Sequence, residues 1–125
     1  MPYLQCDADF SIDEETADQF ERDLATLYAE RMNAETNYIA VAVRDDLSLF
    51  LGRSEGERRV ICMADIREGR SVERKRDLAL AIIDLVEREF GVPSTDQKIV
   101  FTEHAGHQMM GADRVGDEWS KVSEE

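Results

Sequence analysis

The hydrophobic positions alternate first with a period of two. From Pro2 to Ala8 and on to Phe10, Leu4, Cys6, Ala8 and Phe10 alternate with Tyr3, Gln5, Asp7 and Asp9, the pattern of a half-buried strand. Ser11-Ile12-Asp13-Glu14 has the form of a capping box, with Ser11 as N-cap and Glu14 three residues on. The period then lengthens: Ala17, Phe20, Leu24, Leu27 and Tyr28 share one side of a helix, a stripe suited to lie on a sheet. Tyr38-Ile39-Ala40-Val41-Ala42-Val43 is nearly continuous in apolar residues, as expected of a strand covered on both faces. A shorter strand at Leu49-Phe50-Leu51 is expected to close this half before Gly52.

The second half repeats the order. Arg59 to Ile66 reads as a strand, and a turn at Arg67-Glu68-Gly69-Arg70 leads to Ser71, a good N-cap. The helix that follows carries Leu78, Ala81, Ile82, Leu85 and Val86 on one side and ends at Phe90-Gly91-Val92-Pro93. Gly91 suits the left-handed cap position, and Pro93 prevents continuation. Ile99-Val100-Phe101 is the last full strand; from Glu103 the pattern breaks into a tail with scattered Met109, Met110, Val115 and Trp119. The reading is one domain over 1–125, with internal repeats at about 2–52 and 59–102 and a tail at 103–125.

Each repeat is a strand–helix–strand unit of the kind that makes a parallel pair by right-handed crossover. Two such units predict an α/β (α+β) fold: one four-stranded mixed sheet with both helices on one face. The same order describes a ferredoxin-like domain, and periodicity does not choose between the two. The apolar residues on both sides of the Tyr38–Val43 run favour cover from other subunits, for which closed symmetry is the usual form.

A length of 125 residues fits one compact domain, and a hydrophobic fraction of 42% supports a core. No apolar run approaches the roughly 20 residues of a membrane span, and the first residues lack the form of a signal peptide. A soluble cytoplasmic protein is expected. Asp and Glu number 28 against 15 Lys and Arg, a formal net charge of −13, which disfavours nucleic acid and anionic membrane as partners. Lysines occur only at Lys75, Lys98 and Lys121, a balance that suggests a salt-loving source. Cys6 and Cys62 are expected to be free thiols. Without a C-x-x-C pair, a thiolate metal site has no support.

Arg67 and Arg70 are the first candidates for chemistry. They stand three apart on a turn feeding a helix start, so two guanidinium forks and a helix N-terminus can share one anion. Surface pairing with Glu68 and Glu73 is the other reading. Tyr38 and Trp119 either wall an apolar pocket or serve ordinary packing. Glu103 can act as an acid or base at the end of the last strand. His104 and His107, the two histidines of the chain, lie three apart, but without a third convergent ligand a solvated loop is expected and no metal.

These segments resemble the tautomerase superfamily. Tyr38-Ile39-Ala40-Val41 is similar to the matching strand of macrophage migration inhibitory factor. Phe50-Leu51-Gly52, Arg67-Glu68-Gly69-Arg70-Ser71, Gln108-Met109 and Glu118-Trp119 resemble segments of the cis-3-chloroacrylic acid dehalogenase branch. The likeness runs from Pro2 to about Trp119. It implies a homotrimer, loss of Met1, and catalysis by the freed N-terminal nitrogen of Pro2 without a cofactor. The chemistry is sound: an α-amine has an ordinary pKa of about 7.7–8.0, which cations or desolvation lower toward neutrality. Such a group can take and return a proton.

The resemblance also implies that Arg67 and Arg70 bind a substrate carboxylate, with Tyr38 and Trp119 beside it. Other parts of the dehalogenase apparatus are replaced. The positions of its glutamate and tyrosine fall near Gly111 and Val100, and its histidine falls on Ala29, beside Tyr28. The pocket lysine of the migration inhibitory factor falls near Ala34. The expected activity is therefore an isomerase, a keto–enol tautomerase acting on a small 2-oxo carboxylate. Alternatives are a promiscuous hydratase, dehalogenase or decarboxylase of the same superfamily, or a non-catalytic trimeric binding protein.

Overall fold

The computed structural model describes residues 1–115. The first unit is β1 (Tyr3–Ala8), α1 (Glu14–Met32) and β2 (Ala40–Arg44). The second is β3 (Val60–Arg67), α2 (Val72–Phe90) and β4 (Gln97–His104). A short hairpin of β5 (Met110–Gly111) and β6 (Arg114–Val115) follows. The four long strands form one mixed sheet in the order β2-β1-β3-β4. Within each unit the strands are parallel, and the units meet through the antiparallel β1–β3 pair. The fold class read from the sequence is the one observed.

Strand alternation decides where the core lies. Leu4, Cys6 and Ala8 of β1 stand in register with Val60, Cys62 and Ala64 of β3, and all are buried. They meet Phe20, Leu24, Tyr28 and Met32 of α1 and Leu78, Ile82, Leu85 and Val86 of α2. Both helices therefore cover one face. The other face carries Tyr3, Gln5 and Asp7 on β1 with Met63 and Asp65 on β3, and Met63 is exposed. Among the described residues, no helix is long and apolar enough to cross a membrane.

Several local expectations change. The cap of α1 is Asp13, whose carboxylate accepts the Thr16 N–H at 2.8 Å, and not Ser11. The Ile12 N–H is drawn instead to Asp45 at 2.9 Å, which holds the chain off the helical path for two more residues. Tyr38 belongs to a 3-10 turn (Thr36–Tyr38), so β2 starts only at Ala40. Leu49–Leu51 form no strand, and Phe50 is exposed. The edges of β1 are already occupied by β2 and β3, so the loop meets β1 at its end, through the Asp46 N–H to the Phe10 carbonyl and the Leu47 N–H to the Ala8 carbonyl.

In the second unit, Ser71 caps α2 by accepting the Arg74 N–H, and Gly91 ends it in the left-handed region, as expected. β4 is longer than its apolar run. Each of its residues from Gln97 to His104 has a partner on β3, which moves Glu103 and His104 out of the tail and into the sheet.

Candidate active site

The connectivity sends the expected site residues to one end of the sheet. β1 begins there and the antiparallel β3 ends there in Arg67, while β2 begins beside β1 and β4 ends in His104 opposite Arg67. The C-terminus of α1 and the N-terminus of α2 lie at the same end by the crossover geometry. Pro2 is fixed here because its carbonyl accepts the Ala40 N–H at 3.0 Å, one residue before Tyr3 pairs with both Ala40 and Asp65. Tyr38, two residues before β2, arrives at this end as well. Pro2, Tyr38, Arg67 and Arg70 are all half-buried. Trp119 lies outside the described residues.

The two arginines differ. Arg67 is the last residue of β3 and alternates onto the face away from the helices, with Asp65 and Met63. Arg70 turns toward α1, where its Nη2 donates to the Met32 carbonyl at 3.2 Å. A guanidinium on the last carbonyls of a helix satisfies an orphan acceptor and meets the negative end of the dipole. Arg70 is thus partly engaged in holding α1, a role its spacing from Arg67 does not reveal. The N-terminus of the 19-residue α2 adds a partial positive charge at this end.

Met1 is the neighbour that matters most to Pro2. Its side chain lies over Gly111 of β5: a Cβ added at Gly111 would come within 2.7 Å of Met1 Cε and 3.2 Å of its Sδ. The hairpin therefore forms a wall beside the start of β1, and Met1 fills the gap between them. Gly111 is also the position where the resemblance put a missing glutamate.

Beside Arg67 is a cluster that the sequence reading missed. Thr102 Oγ1 donates to Asp65 Oδ1, and His104 Nε2 lies 3.2 Å from the same oxygen and 3.3 Å from the Thr102 hydroxyl. The Thr102 hydroxyl, and then His104, hold the Asp65 carboxyl below its ordinary pKa against some desolvation. The signal was available: Asp65 interrupts an apolar strand, and Thr102 and His104 share one face of β4 at spacing two. Glu103 points to the opposite face and pairs with Lys75 of α2 at 3.3 Å. His107 is exposed on a separate 3-10 turn (Gly106–Gln108). Among the described residues, no three His, Cys, Asp or Glu side chains gather as a metal-ligand set.

The sequence model of the Tautomerase family, described as tautomerase enzyme, matches residues 64–118. Among solved structures, N1, a member of the cis-3-chloroacrylic acid dehalogenase family, is similar at 24% identity and a TM-score of 0.80. That alignment covers 91% of this chain and 82% of N1. The macrophage migration inhibitory factor of Toxoplasma gondii is similar at 16% identity and a TM-score of 0.79, over 90% of this chain and 98% of that one. Pt0534, solved after inactivation by 2-oxo-3-pentynoate, is similar at 15% identity and a TM-score of 0.80, over 93% of this chain and 96% of its own. No curated protein matches the chain in sequence. In sequence over 64–118, and in fold over nine-tenths of its length, the chain is tautomerase-like. The solved structures that share this fold include both migration inhibitory factor homologues and a member of the dehalogenase branch.

Proposed function

We propose that the chain is a keto–enol tautomerase of small 2-oxo carboxylates, working as a homotrimer after loss of Met1. The observation that carries this reading is the placement of Pro2. It is held at the start of β1, at the sheet end where β3 ends in Arg67, with Met1 packed on Gly111 in the space beside it. Removing Met1 frees a secondary amine and opens that space at once. The inactivation of the structurally similar Pt0534 by a 2-oxo acid supports the substrate class.

The chemistry needs few parts. Arg67 grips the substrate carboxylate, helped by the N-terminus of α2 and by whatever donors of Arg70 Met32 leaves over. The positive charge of Arg67 and of the α2 N-terminus disfavours protonation of the Pro2 amine, which helps it act as a base near neutral pH. Its nitrogen takes the proton of the enol hydroxyl, the O–H electrons become the carbonyl π bond, and the carbon–carbon π electrons take a proton back from the prolinium at C3. The amine is regenerated. Water is not consumed, which suits a site with Gly111 and Val100 where the dehalogenase branch places its glutamate and tyrosine.

The test follows the ketonisation of an enol such as phenylenolpyruvate by its ultraviolet absorbance. Pro2→Ala is expected to lower kcat/KM by about 10²–10⁴-fold, the usual contribution of a positioned acid–base group, with an unchanged circular dichroism spectrum. A variant that keeps the parent's rate would overturn the reading.

A further inference from the structure

We propose that Cys6 and Cys62 are a disulfide-forming pair that, once oxidised, ties β1 to β3 through the middle of the core. The two residues stand directly opposite each other in the antiparallel β1–β3 ladder. Their Sγ atoms are 2.6 Å apart. This is roughly 0.6 Å beyond a covalent S–S bond of about 2.05 Å. Neighbouring strands hold both side chains on the helix-covered face, so bond formation needs a small rotation of two side chains and no backbone movement. The same strands carry Pro2 at the start of β1 and Arg67 at the end of β3, so the bond would brace the site from behind without entering it.

The reaction needs a two-electron oxidant, either a peroxide or a small disulfide. With hydrogen peroxide, one thiolate attacks an oxygen, giving a sulfenic acid and releasing hydroxide, which takes up the thiol proton as water. The second sulfur then attacks the sulfenic sulfur, forms the S–S bond and expels a second water. Both thiols are buried, with exposures of 2% and 4%. The contact with Cys62 and burial push the Cys6 thiol well above its ordinary pKa. The folded pair is therefore slow to react but protected from over-oxidation, and it forms most readily while the strands are assembling.

Refolding from denaturant in a buffer of reduced and oxidised glutathione removes the question of access. The expected product has lost the mass of two hydrogens, shows no titratable thiol in denaturant, and links the Cys6 and Cys62 peptides. Closing so long a loop is expected to raise Tm by roughly 5–10 °C, reversed by dithiothreitol. Cys62→Ala and Cys6→Ala should each keep a Tm that dithiothreitol does not move. Two free thiols, or glutathione mixed disulfides, after refolding to the native spectrum would overturn the proposal. The readout does not use turnover, so it is independent of the role of Pro2.

Discussion

The two ends of the sheet use charge in different ways. At the end away from Pro2, carboxylates hold the loops. Asp9 accepts the Arg59 N–H at 2.7 Å and its guanidinium at 2.8 Å, and Asp45 accepts the Ile12 N–H. Buried Asp96 accepts the Glu55 N–H at 3.2 Å and sits so close to Gly56 that a Cβ there would run into its carboxylate. At the Pro2 end, Arg67 and Arg70 stand with the start of α2, while the Asp65 carboxylate is taken up by Thr102 and His104 and Glu103 pairs with Lys75. A net charge of −13 therefore says little about which ligand the molecule accepts. What counts is where acids are consumed by backbone donors and where arginines gather beside a helix N-terminus.

This contrast can be broken from either end. After Pro2 itself, the largest effect is expected at Arg67: Arg67→Ala should lower kcat/KM for a 2-oxo acid by about 10–100-fold, mainly through KM, as loss of a charge-assisted hydrogen bond implies. Arg70→Ala should depress both substrate binding and Tm, because it also removes the donor to Met32; steady-state kinetics beside thermal melts read the two losses apart. At the other end, Asp96→Ala should cost about 1–3 kcal/mol of stability by removing the acceptor of the Glu55 N–H, read from urea midpoints, while kcat stays within about twofold.

The smallest effect concerns the α1–α2 seam. Desolvation, then the hydrogen bond to Asp23, raises the Glu89 carboxyl to about 7. The same contact lowers Asp23, so the pair shares one proton that rests on Glu89. The folded state then binds more protons than the unfolded state between the ordinary value of 4.5 and about 7. Stability from this pair is fully present below that window and is lost as pH rises through it. Glu89→Gln keeps a donor without titrating, so its urea midpoint should change less than the parent's between pH 5 and pH 8.

The long elements were legible because each has an unmixed period: Leu4, Cys6 and Ala8 at two, Phe20, Leu24 and Tyr28 at the helical spacing. Their ends were not, because ends are decided by tertiary partners. Ser11 lost the cap to Asp13 once Asp45, far along the chain, claimed the Ile12 N–H. β4 outran its apolar run because β3 offered backbone partners as far as His104. In the site, spacing pointed to Arg67 and Arg70 as a pair, and the family resemblance implied Pro2. The Asp65–Thr102–His104 cluster needs the β3–β4 register, and the packing of Met1 on Gly111 needs the hairpin; neither is a pattern in one stretch of sequence.

The central claim is that the nitrogen of Pro2 is free and reactive in the working protein. Intact mass of the protein purified from its native host, before and after bromopyruvate, tests it most directly. The expected result is a mass lacking Met1 and one adduct, mapped to Pro2, whose formation abolishes turnover. A fully active protein that retains Met1, its Pro2 nitrogen locked in a peptide bond, would contradict the account.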